Sequence, residues 1–367
     1  MSEIKYEKVK NKIKDLIKSG TYDIGSKLPT ESELMKKYNV SRYTIRRAAG
    51  ELESEYYIYR VQGGGMYVDD WKKQRKPINN SKLIGVITTH LADYIFPRII
   101  SGIDRVITEN GYSLILNNTH NSCEREEKAI ERMIDNQVSG LIIEPSQSAL
   151  PNKDLSIYKK LKDAGIPTLF INAHYSQLDF PYLELDDNKA EQEMTNHLIE
   201  LGHKRILGVF QVDDMQGTSR LGGFLDAYMT HPDISYLSET IMYHSEQDMN
   251  PVFKKTASLL EGPDAPSAVV CYNDDLAIQM MNVIRSLDLK IPDDVSIAGF
   301  DDFVMGHYVI PKLTTVEHPK ERMGVDAAKM ILGMINGEKV DPKVYEVKMI
   351  YNNSVKPRNQ EAVTENN

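Results

Sequence analysis

Hydrophobic residues recur at helical spacing near the start of the chain. Tyr6, Val9, Ile13 and Ile17 lie three or four positions apart, with lysines on the positions between them. Gly20 follows this segment, as a glycine often follows the last turn of a helix. The pattern predicts a first amphipathic helix.

Two further short helices are predicted directly after it. Thr30 and Glu33 have the spacing of a capping box, in which each side chain satisfies a free backbone amide at a helix start. Ser41 is placed to cap the next helix, which would bury Ile45 and Leu52. Two short helices separated by a turn of three or four residues are typical of a helix-turn-helix.

A hairpin is predicted after these helices. Segments 57–61 and 66–68 alternate in polarity, and Gln62 with three glycines stands between them. Glycines allow a backbone to approach a DNA groove closely, and Arg60 and Gln62 supply hydrogen-bonding groups beside them. Helices followed by such a wing predict an α+β winged helix-turn-helix head.

The pattern changes at residue 83, where short continuous apolar runs begin to alternate with amphipathic helical segments. This alternation predicts parallel sheets covered on both faces, hence an α/β body. The body is long for one sheet, and the acidic segment 183–187 lies near its midpoint, so we expect two lobes of the periplasmic-binding-protein type. The expected strands are 83–87, 114–116, 141–143, 168–171, 206–210, 268–272 and 295–300.

These patterns define the expected domain boundaries. The head occupies residues 1–70, and a polar, basic connector occupies residues 71–81. The body, expected to bind an effector and to dimerise, occupies residues 82–357, and residues 358–367 form a tail. The connector is equally compatible with a plain tether and with a segment that contacts DNA phosphates.

Charge is distributed unevenly between the two parts. The whole chain of 367 residues has a formal net charge of −9. Residues 1–76 contain 17 lysines and arginines against 11 aspartates and glutamates, a net charge of +6, so the remainder carries −15. A basic head on an acidic body fits a module that attracts phosphates joined to one that does not.

Composition excludes several classes of protein. No run of about 18 apolar residues is present, and the charged N-terminus is unlike a signal peptide, so we expect neither a membrane span nor export. Cys123 and Cys271 are the only cysteines, too few for a disulfide framework or a four-cysteine zinc site. A cytoplasmic protein without a metal or other cofactor is expected.

The head resembles the GntR family of bacterial winged-helix regulators. The resemblance rests on residues 27–34 (KLPTESEL), residues 40–46 (VSRYTIR) and the glycines of the wing. It implies that the partner is double-stranded operator DNA, with Arg42, Arg46 and Gln62 reading bases or grooves. The other expected DNA-binding residues, near phosphates, on the recognition helix or in the wing, are Lys5, Thr30, Glu31, Ser41, Tyr43, Thr44, Arg60, Gly63 and Gly64.

Polar residues follow the predicted strands of the body. Open α/β sheets bind ligands beyond the carboxyl ends of their strands, so these residues are candidates for a binding site. Amides and carboxylates suit the hydroxyls of a neutral polyol, although each could instead cap the following helix. The candidates are Thr88, Thr89, Asn117, Glu144, Asn172, Gln211, Asn273, Asp275, Asp301 and Asp302.

The body resembles the LacI/GalR effector-binding domain. The resemblance rests on segments 83–86, 140–145, 202–206, 219–224, 268–274, 291–302 and 313–316, which occur in the family's order. It implies that Arg220, Asn273 and Asp301 hold sugar hydroxyls and that Phe96 or Tyr94 forms an aromatic wall. Asn172 departs from the Asp that the family often has.

The pairing of these two parts is similar to the arabinose-responsive repressors of Gram-positive bacteria. That resemblance implies a homodimer that leaves its operator when L-arabinose binds the body.

Two other functional classes remain as alternatives. A sugar-modifying enzyme would need catalytic motifs, and the sequence has no nucleophile elbow, P-loop or zinc motif. A sugar-transport binding protein would share the lobed body, but the basic head and the charged N-terminus oppose it.

Overall fold

The computed structural model describes residues 5–55, 57–61, 64–70, 81–92, 94–150 and 154–358, with the backbone alone for Lys5 and Ser54. The chain divides into two compact units, residues 1–78 and 79–367. Of the expected connector, residues 71–80 lie outside the described residues. Within the described ranges, no helix has both the length and the apolar character needed to cross a membrane.

The first unit is a winged helix-turn-helix, as predicted. Its elements are α1 (Lys5–Lys18), α2 (Glu31–Tyr38), α3 (Arg42–Ser54), β1 (Ile58–Val61) and β2 (Gly65–Val68). Three residues separate α2 from α3, and β1 pairs with β2 in antiparallel register.

Local capping defines the ends of the turn between the two helices of the motif. The Glu33 amide donates to the Thr30 hydroxyl (3.3 Å), and the Thr30 amide donates to the Glu33 carboxylate (2.7 Å). Asn39 ends α2 in the left-handed conformation with φ of 50°, and Ser41 caps α3 by accepting from the Thr44 amide. The predicted caps are therefore confirmed, and they place the start of α3 directly after a sharp turn.

The core of the head holds α3 against α1. Ile45, Ala48 and Leu52 on α3 are buried, and they share one apolar cluster with Val9 and Ile13 of α1. This stripe fixes which face of α3 is inward, so the opposite face is left to solvent.

The second unit contains two lobes, each built on a parallel sheet. In the first lobe the strand order is β13-β7-β6-β5-β3-β4, and every pair is parallel. Its strands are β3 (Leu83–Thr88), β4 (Ser113–Asn118), β5 (Gly140–Ile143), β6 (Thr168–Ile171), β7 (Tyr182–Leu185) and β13 (Lys343–Tyr345). Its helices are α4 (Phe96–Glu109), α5 (Cys123–Asp135), α6 (Ser156–Asp163) and α11 (Lys320–Ile335).

The second lobe has the strand order β11-β10-β8-β9, again all parallel. Its strands are β8 (Ile206–Gln211), β9 (Glu239–Tyr243), β10 (Ala268–Cys271) and β11 (Ser296–Ala298). Its helices are α8 (Met215–Met229), α9 (Asn250–Leu260) and α10 (Asp274–Ser286). A short antiparallel pair, β12 (Thr315–Val316) with β14 (Met349–Ile350), lies beside this lobe.

The chain crosses between the lobes three times. The first crossing is α7 (Asp187–Glu200), whose Ala190 packs in the first lobe and whose Leu198 packs in the second. The segment after β12 returns to α11, and the segment after β13 leads back to β14. The lobes are therefore not consecutive halves of the sequence. Segment 183–187 contains most of β7 and the first residue of α7, the helix that makes the first crossing.

Candidate functional site

The solvent face of α3 carries the predicted base-reading residues. The side chains of Arg42 and Arg46 are 59% and 62% exposed, and Tyr43 is 73% exposed. An exposed tyrosine between two exposed arginines on the second helix of this motif is the arrangement of a recognition helix. Arginine can donate two hydrogen bonds to one guanine edge.

Glu31 lies against both arginines. The Arg46 Nε donates to both carboxylate oxygens of Glu31 at 3.1 Å, and the Arg42 Nε lies 3.9 Å from Glu31 Oε2. The carboxylate thus orders the two side chains on the surface before any partner is present. The hydroxyls of Thr30, Ser41 and Thr44 lie at the starts of α2 and α3, where free backbone amides favour anions such as phosphates.

The wing is described in part. Arg60 forms an ion pair with Glu53 at 3.2 Å, and Gly65 has a φ of +106° that glycine adopts without strain. A side chain at Gly64 would meet Val61 within 2.8 Å. Gln62 and Gly63 lie outside the described residues, as does the side chain of Lys5.

A cavity of about 790 Å³ lies where the carboxyl ends of the two parallel sheets of the second unit meet. Its walls come from the loops that follow strands of both lobes, the position expected for a ligand site in open α/β sheets. Ten of the thirteen candidate effector residues line it, namely Thr89, Tyr94, Phe96, Glu144, Asn172, Gln211, Arg220, Asn273, Asp275 and Asp301, whereas Thr88, Asn117 and Asp302 are not among its lining residues.

Arg220 is the central charged group of the cavity wall. Its Nε donates to Asp187 Oδ1 at 2.8 Å, its Nη2 donates to Asp301 Oδ1 at 3.1 Å, and its Nη1 donates to the Tyr272 carbonyl oxygen. The guanidinium also lies over the ring of Phe300, 3.6 Å from the centroid. Arg220 therefore joins α8 to the start of α7 and to the segment that follows β11.

Carboxyl groups outnumber cations around this arginine. Burial raises the pKa of Asp187 to about 7 and that of Asp214 to about 6, although Arg220 acts in the opposite direction. Asp301 is buried as well, at 3% exposure. Five carboxyl groups line the cavity against the two guanidinium groups of Arg98 and Arg220, so the cavity accepts a neutral polar molecule more readily than an anion.

A chain of hydrogen bonds runs along the first-lobe side of the cavity. Glu144 accepts from the amide and hydroxyl of Thr89 at 3.0 and 2.7 Å, and from the Asn172 side-chain amide at 2.9 Å. The Asn172 oxygen lies 3.2 Å from His318 Nε2. Burial raises the pKa of Glu144 and lowers that of His318 to about 4.

Four of the predicted residues have structural partners as well as a place in the wall. The Tyr94 hydroxyl donates to Asp301 Oδ2 at 2.7 Å, so its phenol ties the first lobe to the second. Asn273 caps α10 by accepting from the Leu276 backbone amide, and the Asp275 carboxylate accepts from the Gln279 side-chain amide. Phe96 is buried in the first-lobe core. The prediction of helix capping at strand ends is thus confirmed for Asn273.

Other cavity residues were not predicted from the sequence. Asp187, Asp214, Gln216 and His318 line the cavity. Asp187 belongs to the acidic segment that was interpreted as a boundary between lobes. His318 follows a strand of only two residues, which gives no periodic signal, and Gln216 lies on the first turn of α8.

The two lobes also contact each other directly at the cavity. The Asn121 side-chain amide donates to the Ser245 hydroxyl at 2.9 Å, and the Met215 amide donates to the Ser148 hydroxyl at 2.9 Å. These contacts join first-lobe loops to a loop and a helix start of the second lobe.

Comparison with known proteins matches both units. Residues 5–68 match the family described as bacterial regulatory proteins of the gntR family, and residues 195–355 match the periplasmic binding protein-like domain. Among solved structures, a LacI family transcriptional regulator from Enterococcus faecium with bound ribose superposes with a TM-score of 0.66. It is 24% identical and covers 75% of this chain and 99% of its own, which establishes the fold of the second unit.

Two curated relatives match nearly the whole chain. An arabinose metabolism transcriptional repressor of Geobacillus stearothermophilus is 40% identical over 358 residues, which are 96% of this chain and 98% of the relative. A protein of the same description from Halalkalibacterium halodurans is 39% identical and covers 96% of both chains. These relatives are repressors rather than enzymes. The chain therefore belongs to the family of arabinose metabolism transcriptional repressors, with a GntR-type DNA-binding domain and a sugar-binding effector domain.

Proposed function

We propose that the effector is L-arabinose and that it binds in the cavity between the lobes. The observation that carries this proposal is the 40% identity, over almost the full length, to a repressor of arabinose metabolism. The chemistry of the cavity supports it, because amides, carboxylates and the guanidinium groups of Arg98 and Arg220 offer both donors and acceptors to hydroxyl groups. The excess of carboxyl groups favours a neutral sugar over a sugar phosphate.

Each predicted effector residue has a role in this proposal. The residues that contact hydroxyls from the second lobe are Arg220, Asn273, Asp275 and Asp301. Glu144, Asn172 and Thr89 do so from the first lobe, while Phe96 and Tyr94 pack against the C–H face of the ring.

The head recognises operator DNA through α3 and the wing. Arg42, Arg46 and Gln62 read base edges or grooves, with Tyr43 and Arg60 beside them. Glu31 orders Arg42 and Arg46. The residues proposed to lie near the phosphate backbone of the DNA are Lys5, Thr30, Ser41, Thr44, Gly63 and Gly64. Two heads in a homodimer bind two half-sites, and the protein acts in the cytoplasm, where it meets the DNA.

Sugar binding weakens operator binding by selecting one arrangement of the lobes. A ligand that contacts both lobes stabilises their closed form, and closure changes the relation between the two heads of the dimer. The loss of operator affinity cannot exceed the difference in the free energy of sugar binding between the two forms.

Calorimetric titration of a sugar panel tests the effector assignment. We expect L-arabinose to bind more tightly than D-xylose, D-ribose and D-galactose, and we expect L-arabinose phosphates to bind poorly because the cavity opposes anions. Tighter binding of another pentose would overturn L-arabinose as effector. Sugar binding by a protein that binds no DNA at low salt would instead indicate a sugar carrier.

A further inference from the structure

Asp301 and Asp302 have an unusual backbone conformation. Both lie in the left-handed region, with φ of 93° and 52°, although neither residue is a glycine. A side chain in this region approaches its own backbone closely, so two such residues in succession store strain and persist only where their neighbours hold them. The pair follows β11 of the second lobe. The fold must therefore supply contacts that keep this pair in place.

Each backbone amide and carbonyl of the pair has a described partner. The Asp301 amide donates to the Val316 carbonyl oxygen at 2.9 Å, and the Asp302 amide donates to the Thr315 hydroxyl at 3.2 Å. Both carbonyl oxygens accept from a single atom, Lys320 Nζ, at 2.6 and 2.9 Å. The amides are thus held by β12, and the carbonyls are held by the first residue of α11.

Lys320 lies where the two lobes join, but outside the effector cavity. It begins α11, a helix of the first lobe, while Asp301 and Asp302 follow a strand of the second lobe. Asp301 lines the cavity, whereas Lys320 is not among the described residues that line it. Lys320 therefore acts on the cavity through neighbouring groups rather than by contact with its contents.

Burial makes this position costly for an ammonium group. It lowers the pKa of Lys320, while the charges of Asp301, Asp302 and Asp274 act in the opposite direction. Lysines ordinarily extend their ammonium groups into water, whereas Lys320 is half-buried and directs its Nζ to two carbonyl oxygens. This arrangement favours a specific role over a solubilising one.

The backbone of Asp301 determines where its carboxylate lies. Oδ1 accepts from Arg220 Nη2 at 3.1 Å, and Oδ2 accepts from the Tyr94 hydroxyl at 2.7 Å. An aspartate side chain has only two rotatable bonds, so both contacts depend on the position of its Cα atom. A change of backbone conformation at residues 301 and 302 would move the carboxylate away from Arg220.

We propose that Lys320 is a positioning residue of the effector site: its ammonium group holds Asp301 and Asp302 in the left-handed conformation, which keeps the Asp301 carboxylate beside Arg220. The inference rests on the proposed sugar effector, and it adds a residue that does not touch the sugar. Without the ammonium group the backbone leaves the strained conformation, so the site must be reordered whenever a sugar binds. The cost of that reordering appears as weaker sugar binding.

Lys320→Met removes the ammonium group and keeps the apolar stem of the side chain. In calorimetry on the full chain we expect it to bind L-arabinose about 10-fold more weakly than the wild type, an effect equal to about one hydrogen bond. Lys329→Met is the matched control, because it removes the same charge from an exposed position on the same helix, and it should bind as the wild type does. If Lys320→Met does not fold, Lys320→Gln replaces it, since the shorter, neutral side chain cannot hold both carbonyls.

A double-mutant cycle tests whether Lys320 acts through the backbone. Glycine adopts the left-handed conformation without strain, so in an Asp302→Gly background the ammonium group has less to hold. The hydrogen bond between Asp302 and His307 is absent from both proteins of that background, so its loss cancels in the cycle. We expect Lys320→Met to weaken L-arabinose binding by less than about 3-fold there. A loss of about 10-fold in both backgrounds would show that Lys320 acts in another way, through its charge or through general stability, and would overturn the proposal.

The remaining outcomes separate this proposal from the effector assignment. Unchanged affinity of Lys320→Met, or an equal loss in Lys329→Met, would overturn the positioning role while leaving the effector assignment intact. If the wild type prefers another neutral sugar, the effector assignment fails, and the same cycle with that sugar decides the role of Lys320. A wild type that binds no neutral sugar would overturn both.

Discussion

Glu191 shows how burial acts on single residues beside the effector cavity. This side chain on α7 is fully buried, and its one described partner is the Thr195 hydroxyl, which donates to Oε1 at 3.0 Å. Burial raises the pKa of Glu191 from its ordinary 4.5 to about 8. Between those values the folded protein keeps a proton that the unfolded chain releases, so this residue lowers stability as pH rises.

Glu191→Gln should remove this dependence. The free energy of unfolding of the variant, relative to the wild type, should increase by on the order of 3 kcal/mol between pH 5 and pH 8. Urea unfolding followed by circular dichroism at four pH values measures it. Glu193→Gln on the exposed side of the same helix is the control, and identical pH profiles for Glu191→Gln and wild type would refute the account.

At the scale of elements, α7 and α8 pack with their backbones in close approach. A Cβ at Gly223 would lie 2.1 Å from the Asn188 carbonyl oxygen and 2.9 Å from the Gln192 amide. A Cβ at the neighbouring Gly222 would meet only a side chain, the Asn188 amide at 3.1 Å, which also donates to Asp226. Because α7 carries Asp187 and α8 carries Arg220, this contact positions the ion pair of the cavity.

Alanine at these two adjacent glycines should have opposite effects. Gly223→Ala should destabilise the protein by about 1 to 3 kcal/mol, because the backbone of α7 would have to move away from the new methyl group. Gly222→Ala should be neutral or stabilise by up to about 1 kcal/mol, since alanine favours a helix. Thermal unfolding measures both, and equal melting temperatures for the two variants would contradict the close approach.

The elements also show what local patterns can predict. Strands such as β3 and β5 are continuous apolar runs, so they were predicted, and their carboxyl ends correctly located Thr89 and Glu144 at the cavity. The two-residue strand β12 is too short for any periodicity, so His318 after it was missed. Gln216 was missed because its contact with the cavity depends on how α8 packs, which local spacing does not encode.

At the scale of the whole molecule, the uneven distribution of charge along the chain suits the two units to different partners. Residues 1–76 carry +6 and can neutralise phosphates, while the acidic remainder carries −15. Release of counterions makes the DNA affinity of the head fall with salt concentration. The proposed sugar carries no charge, so its binding releases no comparable set of counterions, and the two activities can be separated in one protein by salt.

The central claim is that L-arabinose releases this protein from DNA. The sugar-free protein is first used to select tightly bound duplexes from a random DNA library, and these serve as the operator. Fluorescence anisotropy at fixed salt then gives the Kd of the protein for this operator. Arg46→Ala, which should cost about 1 to 3 kcal/mol in operator binding, shows that α3 reads the duplex. We predict that saturating L-arabinose raises the wild-type Kd by about 5-fold to 150-fold. An unchanged Kd, under conditions where calorimetry shows the sugar bound, would contradict the claim.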